Sequence, residues 1–228
     1  MQKNILITGV TRGLGRALAL HFAHSGHNVW GVGRNHETIA ELASIGFNNT
    51  FFKVVDVSDD GAVKRWADEI ITAGLNKIDI LINNAGVMNT PAPIWMIKQC
   101  DFDAIIDINV KGTANVLRHF VPHMVKLQTG NIVNFISGSG RNCPSDSGAY
   151  NASKWAIEAI TRTLANEIPT GMAAIALNPG TINTDMLRTI IGERASNFPE
   201  VDRWVKKAAD LILSFSPEHN GEVLSVNM

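Results

Sequence analysis

Short apolar runs, rich in β-branched residues, alternate along this chain with longer stretches whose apolar positions recur every three to four residues. The runs NILIT (4–8), NVWGV (28–32), FFKVV (51–55), IDILI (78–82), NIVNFI (131–136), MAAIAL (172–177) and EVLSV (222–226) predict seven strands. Between the first two, Leu14, Leu18 and Phe22 fall on one helical face, and Gly26 stands where a C-terminal cap belongs. Helical periodicity also covers 36–44, 59–73, 98–127, 148–168 and 200–214, and Pro122 predicts a kink in the long 98–127 stretch. Strands that are apolar almost throughout, separated by helices, predict a parallel sheet covered on both faces. The whole chain, 1–228, therefore reads as one doubly wound α/β domain. Ligands of such sheets bind beyond the carboxyl ends of the strands, which directs attention to the loops there.

Composition narrows the partners. Lys and Arg number 20 against 21 Asp and Glu, with no long block of either sign, so no footprint for nucleic acid or an anionic membrane is visible. A small molecule or a second copy of the chain fits better. Two cysteines, Cys100 and Cys143, show neither metal-ligand spacing nor a pairing framework, as in a reducing compartment. The opening MQKNILITGV runs into a glycine turn without a signal-peptide cleavage region or the roughly 20 apolar residues of a membrane span, so the expected location is cytoplasmic. Among the seven histidines only His119 and His123 share the i,i+4 spacing that can bind zinc, and no third ligand accompanies them; no metal is expected.

The loop after the first strand, TGVTRGLG (8–15), carries Gly9, Gly13 and Gly15 between a strand and a helix. Missing side chains there let the backbone turn tightly and let a pyrophosphate approach the helix N-terminus. A second feature is Tyr150, the only tyrosine beside nine Phe and five Trp, four positions before Lys154 on a predicted helix. A side chain that acts as general acid near neutral pH needs a pKa that can approach neutrality. A free phenol, with a pKa of about 10, is too weak an acid, but a lysine at i+4 lies on the same face and is expected to lower that pKa by stabilising the phenolate.

These elements in order, TGxxxGxG, then NNAG (83–86), a serine after the fifth strand, YxxxK at Tyr150 and Lys154, and NPGTINT (178–184), resemble the short-chain dehydrogenase/reductase family along nearly the whole chain. The resemblance implies a Rossmann-like domain that binds NAD(P)(H) and interconverts alcohols and carbonyls, with Tyr150 as the acid/base and Lys154 also holding the nicotinamide ribose. It points to Ser137, 13 residues before Tyr150, as the serine that bonds the substrate oxygen, with Ser139 the nearby alternative. Asn109 matches the family asparagine that holds a water on a proton path from Lys154. The implied cofactor contacts are Gly9, Thr11, Arg12, Gly13, Leu14 and Gly15 in the first loop, Asp56 and Val57 after the third strand, and Asn83, Ala85 and Gly86 after the fourth. Pro179, Gly180, Ile182 and Thr184 after the sixth complete the set, together with Tyr150 and Lys154. Asp59 and Asp60 read as helix caps, and Asp185 as a further N-cap.

Cofactor preference is read at the end of the second strand. NAD-preferring folds place an acid there for the ribose 2′-hydroxyl; here VWGVGRN has none, and Arg34 stands 19 residues after Gly15, with Arg12 inside the glycine loop. Two guanidiniums would make a planar site for a 2′-phosphate, so NADP(H) is expected over NAD(H). The reaction class that follows is reversible reduction of a small, fairly apolar ketone or aldehyde, in a pocket to which Met88, Trp95, Cys143, Met186 and Trp204 are candidate contributors. Two alternatives are a catalytically silent nucleotide sensor or scaffold, against which Tyr150, Lys154 and the serine all stand, and a sugar epimerase or dehydratase, which typically carries TGxxGxxG and an added substrate domain, neither of which this sequence shows. The resemblance also implies a homodimer or homotetramer built on the 98–127 and 148–168 helices.

Overall fold

The computed structural model describes residues 1–228. Seven parallel strands, β1 (Asn4–Thr8), β2 (Asn28–Gly33), β3 (Thr50–Val54), β4 (Ile80–Asn83), β5 (Gly130–Phe135), β6 (Met172–Asn178) and β7 (Val223–Ser225), form one sheet in the order β3-β2-β1-β4-β5-β6-β7. Each predicted strand is present, with ends shifted by at most two residues. The order reverses between β1 and β4, and that reversal opens the crevice at the carboxyl edge where such sheets bind ligands.

Period-two alternation sorts the core into two layers. Ile5 and Ile7 of β1 face one side, where they pack with Leu18 and Phe22 of α1 (Gly13–His24), Ile39 and Leu42 of α2 (His36–Ser44), and Trp204 and Ile212 of α9 (Val201–Ser214). Leu6 faces the other, with Trp66 of α3 (Asp60–Thr72), Phe120 of α5 (Gly112–Leu127) and Leu164 of α7 (Gly148–Glu167). Three shorter helices, α4 (Gln99–Ile105), α6 (Gly138–Asn142) and α8 (Asp185–Ile191), sit at the carboxyl edge.

The 98–127 stretch differs from expectation in where it is irregular. Helix α5 runs through Pro122 without interruption; the break lies upstream, where Ile106–Lys111 form a π-helical turn between α4 and α5. Pro122 is exposed, so solvent can satisfy the backbone group it leaves unpaired. The wide turn carries Asn109, and such turns commonly mark functional positions.

Candidate active site

The glycine loop folds back over the end of β4, and two of its glycines are required by contact. A Cβ on Gly15 would lie 2.2 Å from the Gly9 carbonyl oxygen, and one on Gly9, whose φ is +76°, would lie 2.8 Å from Ala85 Cα. Asn84 closes this join by donating from Nδ2 to the carbonyls of Thr8 (2.9 Å) and Gly9 (3.1 Å). Buried Thr8 completes it: its Oγ1 accepts from the backbone N–H of Asn84 (3.1 Å) and Ala85 (3.0 Å).

A cleft of about 470 Å³ crosses the carboxyl edge from β2 and β3 to β5 and β6. At one end it is lined by Arg12, Arg34, Asn35 and Thr38, along its length by Gly9, Thr11, Gly13, Leu14, Val57, Asn84, Ala85 and Gly86, and at the other end by Tyr150, Lys154, Pro179, Thr184, Asp185 and Met186. A narrow trough with glycines at its waist, guanidiniums at one end and titratable groups at the other fits an extended dinucleotide. No group of three or more metal-ligating side chains occurs; His119 instead bonds Asp60 Oδ1 at 2.9 Å, and His123 is not part of that contact.

Tyr150 and Lys154 open helix α7 one turn apart, as their spacing predicts, and the Lys154 ammonium lies 5.7 Å from the Tyr150 ring centroid. Lys154 is 7% exposed; its Nζ donates to the Phe135 carbonyl at 2.8 Å, and burial brings its pKa down from 10.5 to about 8. The lowered phenol pKa was expected from Lys154 together with an oxidised nicotinamide, and the protein groups alone do not produce it. Burial pushes the Tyr150 pKa up, and the hydrogen bond from Ser137 only partly opposes it. Desolvation penalises the phenolate at this end of the cleft, and the protein alone does not offset that cost. Ser137 also caps α6, its Oγ accepting from the Ser139 N–H at 3.2 Å, so of the two candidate serines Ser137 is the one beside the phenol.

Asn109 is nearly fully buried, and its amide serves as a brace. Oδ1 accepts from the Val87 N–H (2.8 Å), while Nδ2 donates to the Val87 carbonyl (2.9 Å) and to Ser153 Oγ (3.0 Å), which in turn donates to the Tyr150 carbonyl (2.7 Å). A Cβ on Gly86 would lie 3.3 Å from Asn109 Oδ1 and 3.7 Å from Lys154 Nζ, which puts all three at one point. Both side-chain N–H groups of Asn109 are thus bonded within the protein.

Several expected contacts are placed differently. Asn83, the last residue of β4, turns into the sheet and bonds Asn134 Oδ1 at 2.8 Å; its neighbour Asn84, which the sequence reading passed over, faces the cleft. The doubled asparagine was the available signal, and strand alternation decides which of the two points out. Asp56 folds onto Ser58, accepting from its N–H (2.9 Å) and Oγ (2.7 Å), and approaches Arg34 Nη1 at 3.7 Å instead of facing the cleft. Gly15, Gly180 and Ile182 lie outside the lining; Ile182 is in the core. Thr184, not Asp185, caps α8, its Oγ1 accepting from the Leu187 N–H at 3.3 Å, while Asp59 caps α3 as expected. Trp204 is fully buried and donates from Nε1 to the Pro179 carbonyl at 2.9 Å, so it shapes the loop after β6 and does not line a pocket. Trp95 is 83% exposed.

Residues 3–195 match the family described as short chain dehydrogenase. Over 226 residues the chain is 44% identical to an NADPH-dependent pterin aldehyde reductase of Arabidopsis thaliana, spanning 98% of this chain and 93% of the relative. It is 30% identical over 195 residues to the 3-oxoacyl-(acyl-carrier-protein) reductase FabG of Staphylococcus epidermidis, spanning 83% of this chain and 79% of that protein. Among solved structures, ElxO with NADP bound superposes with a TM-score of 0.86 at 28% identity, over 99% of this chain and 97% of that one. The matched segment contains every residue that lines the cleft, from the glycine loop to Met186, and on that ground the chain belongs to the short chain dehydrogenase family.

Proposed function

We propose that this protein is an NADP(H)-dependent reductase of small aldehydes and ketones, reversible with the corresponding alcohols, acting as a single domain in the cytoplasm, where its free cysteines Cys100 and Cys143 stay reduced. The observation that carries the reading is the Tyr150 phenol, with Ser137 near enough to act on its pKa and the buried Lys154 ammonium beside its ring, at the far end of a cleft that begins at two arginines. When bound, the dinucleotide supplies the hydride. The protein supplies the rest. Ser137 orients the carbonyl oxygen, Tyr150 gives that oxygen a proton, and Lys154 holds positive charge at the phenol during the transfer. Because burial keeps Tyr150 protonated well into the alkaline range, the acid form needed for reduction is the resting form at neutral pH. The pterin aldehyde reductase makes a planar heteroaromatic aldehyde the first substrate to try, and Met186, Val87 and Ile136 provide apolar lining for one.

A panel of aldehydes and ketones that includes pterin-type aldehydes, read by loss of NADPH absorbance, tests the reaction class. No turnover of any carbonyl would remove it. The same assay tests the cofactor. Arg34→Ala should weaken NADPH relative to NADH by about 10- to 100-fold, the effect of losing one charge-assisted contact of roughly 1.5–3 kcal/mol. Loss of Arg12 as well should erase the preference. A wild-type kcat/KM that is better with NADH against the same carbonyl would overturn this assignment.

The protein is further proposed to act as a homodimer or a dimer of such dimers. Supporting this, Leu117, Val121 and Pro122 of α5 and Ala159, Ile160 and Leu164 of α7 line an open, apolar groove that runs between the two helices. A second copy turned by a two-fold axis would cover the groove with the same helices. Light scattering should give at least twice the 24.7 kDa chain mass at micromolar concentration; the mass of one chain would refute the assembly.

A further inference from the structure

Glu158 lies on α7 one turn beyond Lys154, and its side chain is 5% exposed. A carboxylate at such a position is costly unless its oxygens are bonded. Both are. Arg141 on α6 donates from Nε to Oε2 at 3.0 Å and from Nη2 to Oε1 at 2.6 Å, the paired geometry that fixes a planar guanidinium against a carboxylate. Arg162 donates from Nε and Nη2 to Oε1 at 3.2 and 3.0 Å.

The two arginines differ in what they join. Arg162 and Glu158 share a helix, so their contact stays within α7, whereas Arg141 ties α7 to α6. Helix α6 has five residues, too few to be stable unaided, and it opens on Ser137 as its N-cap. It also packs closely on α7, since a Cβ on Gly140 would lie 3.2 Å from Lys154 Cβ. The orientation of α6 therefore sets where Ser137 sits relative to Tyr150. Two other bonds hold this segment, from the Gly138 N–H to Asn178 Oδ1 at 3.1 Å at its start and from Asn151 Nδ2 to the Pro144 carbonyl at 3.0 Å just past its end; only the Arg141 pair grips α6 along its length.

We infer that Arg141 and Glu158 are positioning residues for the reaction: their two-bond pair holds α6 against α7 and so fixes where Ser137, the α6 N-cap, sits relative to the Tyr150 hydroxyl. The inference rests on the proposed roles of Ser137 and Tyr150. Nothing in it requires either side chain to touch substrate or cofactor.

The test compares Arg141→Ala, Arg141→Lys and Arg162→Ala with Tyr150→Phe in the full chain. Arg141→Ala should lower kcat for carbonyl reduction by about 10- to 100-fold, the scale of an ångström-level misplacement, with NADPH affinity unchanged. In alcohol oxidation the rising limb of its pH profile should move to higher pH, because the Ser137 bond that holds the phenol pKa down is loosened. Arg141→Lys should recover part of the loss, and Arg162→Ala should match wild type. Wild-type kcat and pH limb in Arg141→Ala, with Tyr150→Phe inactive, would overturn the inference and leave the proton-donor reading standing; an active Tyr150→Phe would remove both. Loss of NADPH affinity in step with kcat would assign a general structural role and likewise overturn it. If Arg141→Ala does not fold, Arg141→Lys is read by the same two measures: a lowered kcat with a shifted limb supports the pair, and wild-type values overturn it.

Discussion

Tyr150→Phe should cut kcat for carbonyl reduction by about 10²–10⁴ while the protein folds and binds NADPH as before. The substitution removes one oxygen and keeps the ring, so the packing at the head of α7 and the Lys154 ammonium 5.7 Å from the ring centroid are preserved. Lys154 also keeps its bond to the Phe135 carbonyl, which does not involve the phenol. What is lost is the proton for the developing alkoxide. In the oxidation direction the wild-type rate should rise with pH, because burial raises the phenol pKa and the base form appears only as the solution becomes alkaline. That rise should be absent in the phenylalanine variant. Steady-state kinetics in both directions, with NADPH binding followed by tryptophan fluorescence, separate the two effects. Near-normal turnover would exclude Tyr150 as the donor.

Ser137→Ala should cost about 10²–10³ in kcat, the usual effect of removing one preorganised donor at a developing oxyanion. It should also raise the phenol pKa further, since the Ser137 bond is the group that holds it down. Ser139→Ala should cost little, because Ser139 contributes its backbone N–H to the α6 cap and an alanine keeps that N–H. The opposite pattern would move the role two residues along the chain. Loss of the cap hydroxyl at Ser137 destabilises α6 by about 1 kcal/mol, so thermal unfolding run alongside distinguishes a lost donor from a lost helix.

Much of the molecule is written in local pattern. The seven strands follow from apolar runs bounded by glycine and polar residues, and α2 begins and ends at His36 and Ser44 as its periodicity predicts. The glycine loop and the Tyr150–Lys154 pair depend on spacing within one turn or one helix, which is why both could be placed before any contact was known. The preference for Arg34 over an acid at the end of β2 is legible for the same reason. Each of these depends on residues close in sequence.

Other features required distant parts of the chain to meet. Asn83 and Asn84 are chemically identical, and only the pairing of β4 with β5, which turns Asn83 toward Asn134, sends Asn84 to the cleft. Trp204 reads as a candidate pocket aromatic until α9 packs against β1 and α1 and buries it in the core. Asn109 is committed by Val87 and Ser153, 22 and 44 residues away. The pairing of Arg141 with Glu158 is invisible in sequence because 17 residues and a change of helix separate them. The protonation of the site was decided in the same way. Spacing alone sets Lys154 beside Tyr150 and suggests a lowered phenol pKa, but how strongly water is excluded is a property of the assembled core, and there desolvation outweighs the nearby hydrogen bond and lowers the lysine to about 8 while raising the tyrosine. Sequence thus determined which groups are present and which face of an element they share; the tertiary structure decided their partners and their charge, because hydrogen-bond geometry and dielectric environment exist only once remote segments are packed together.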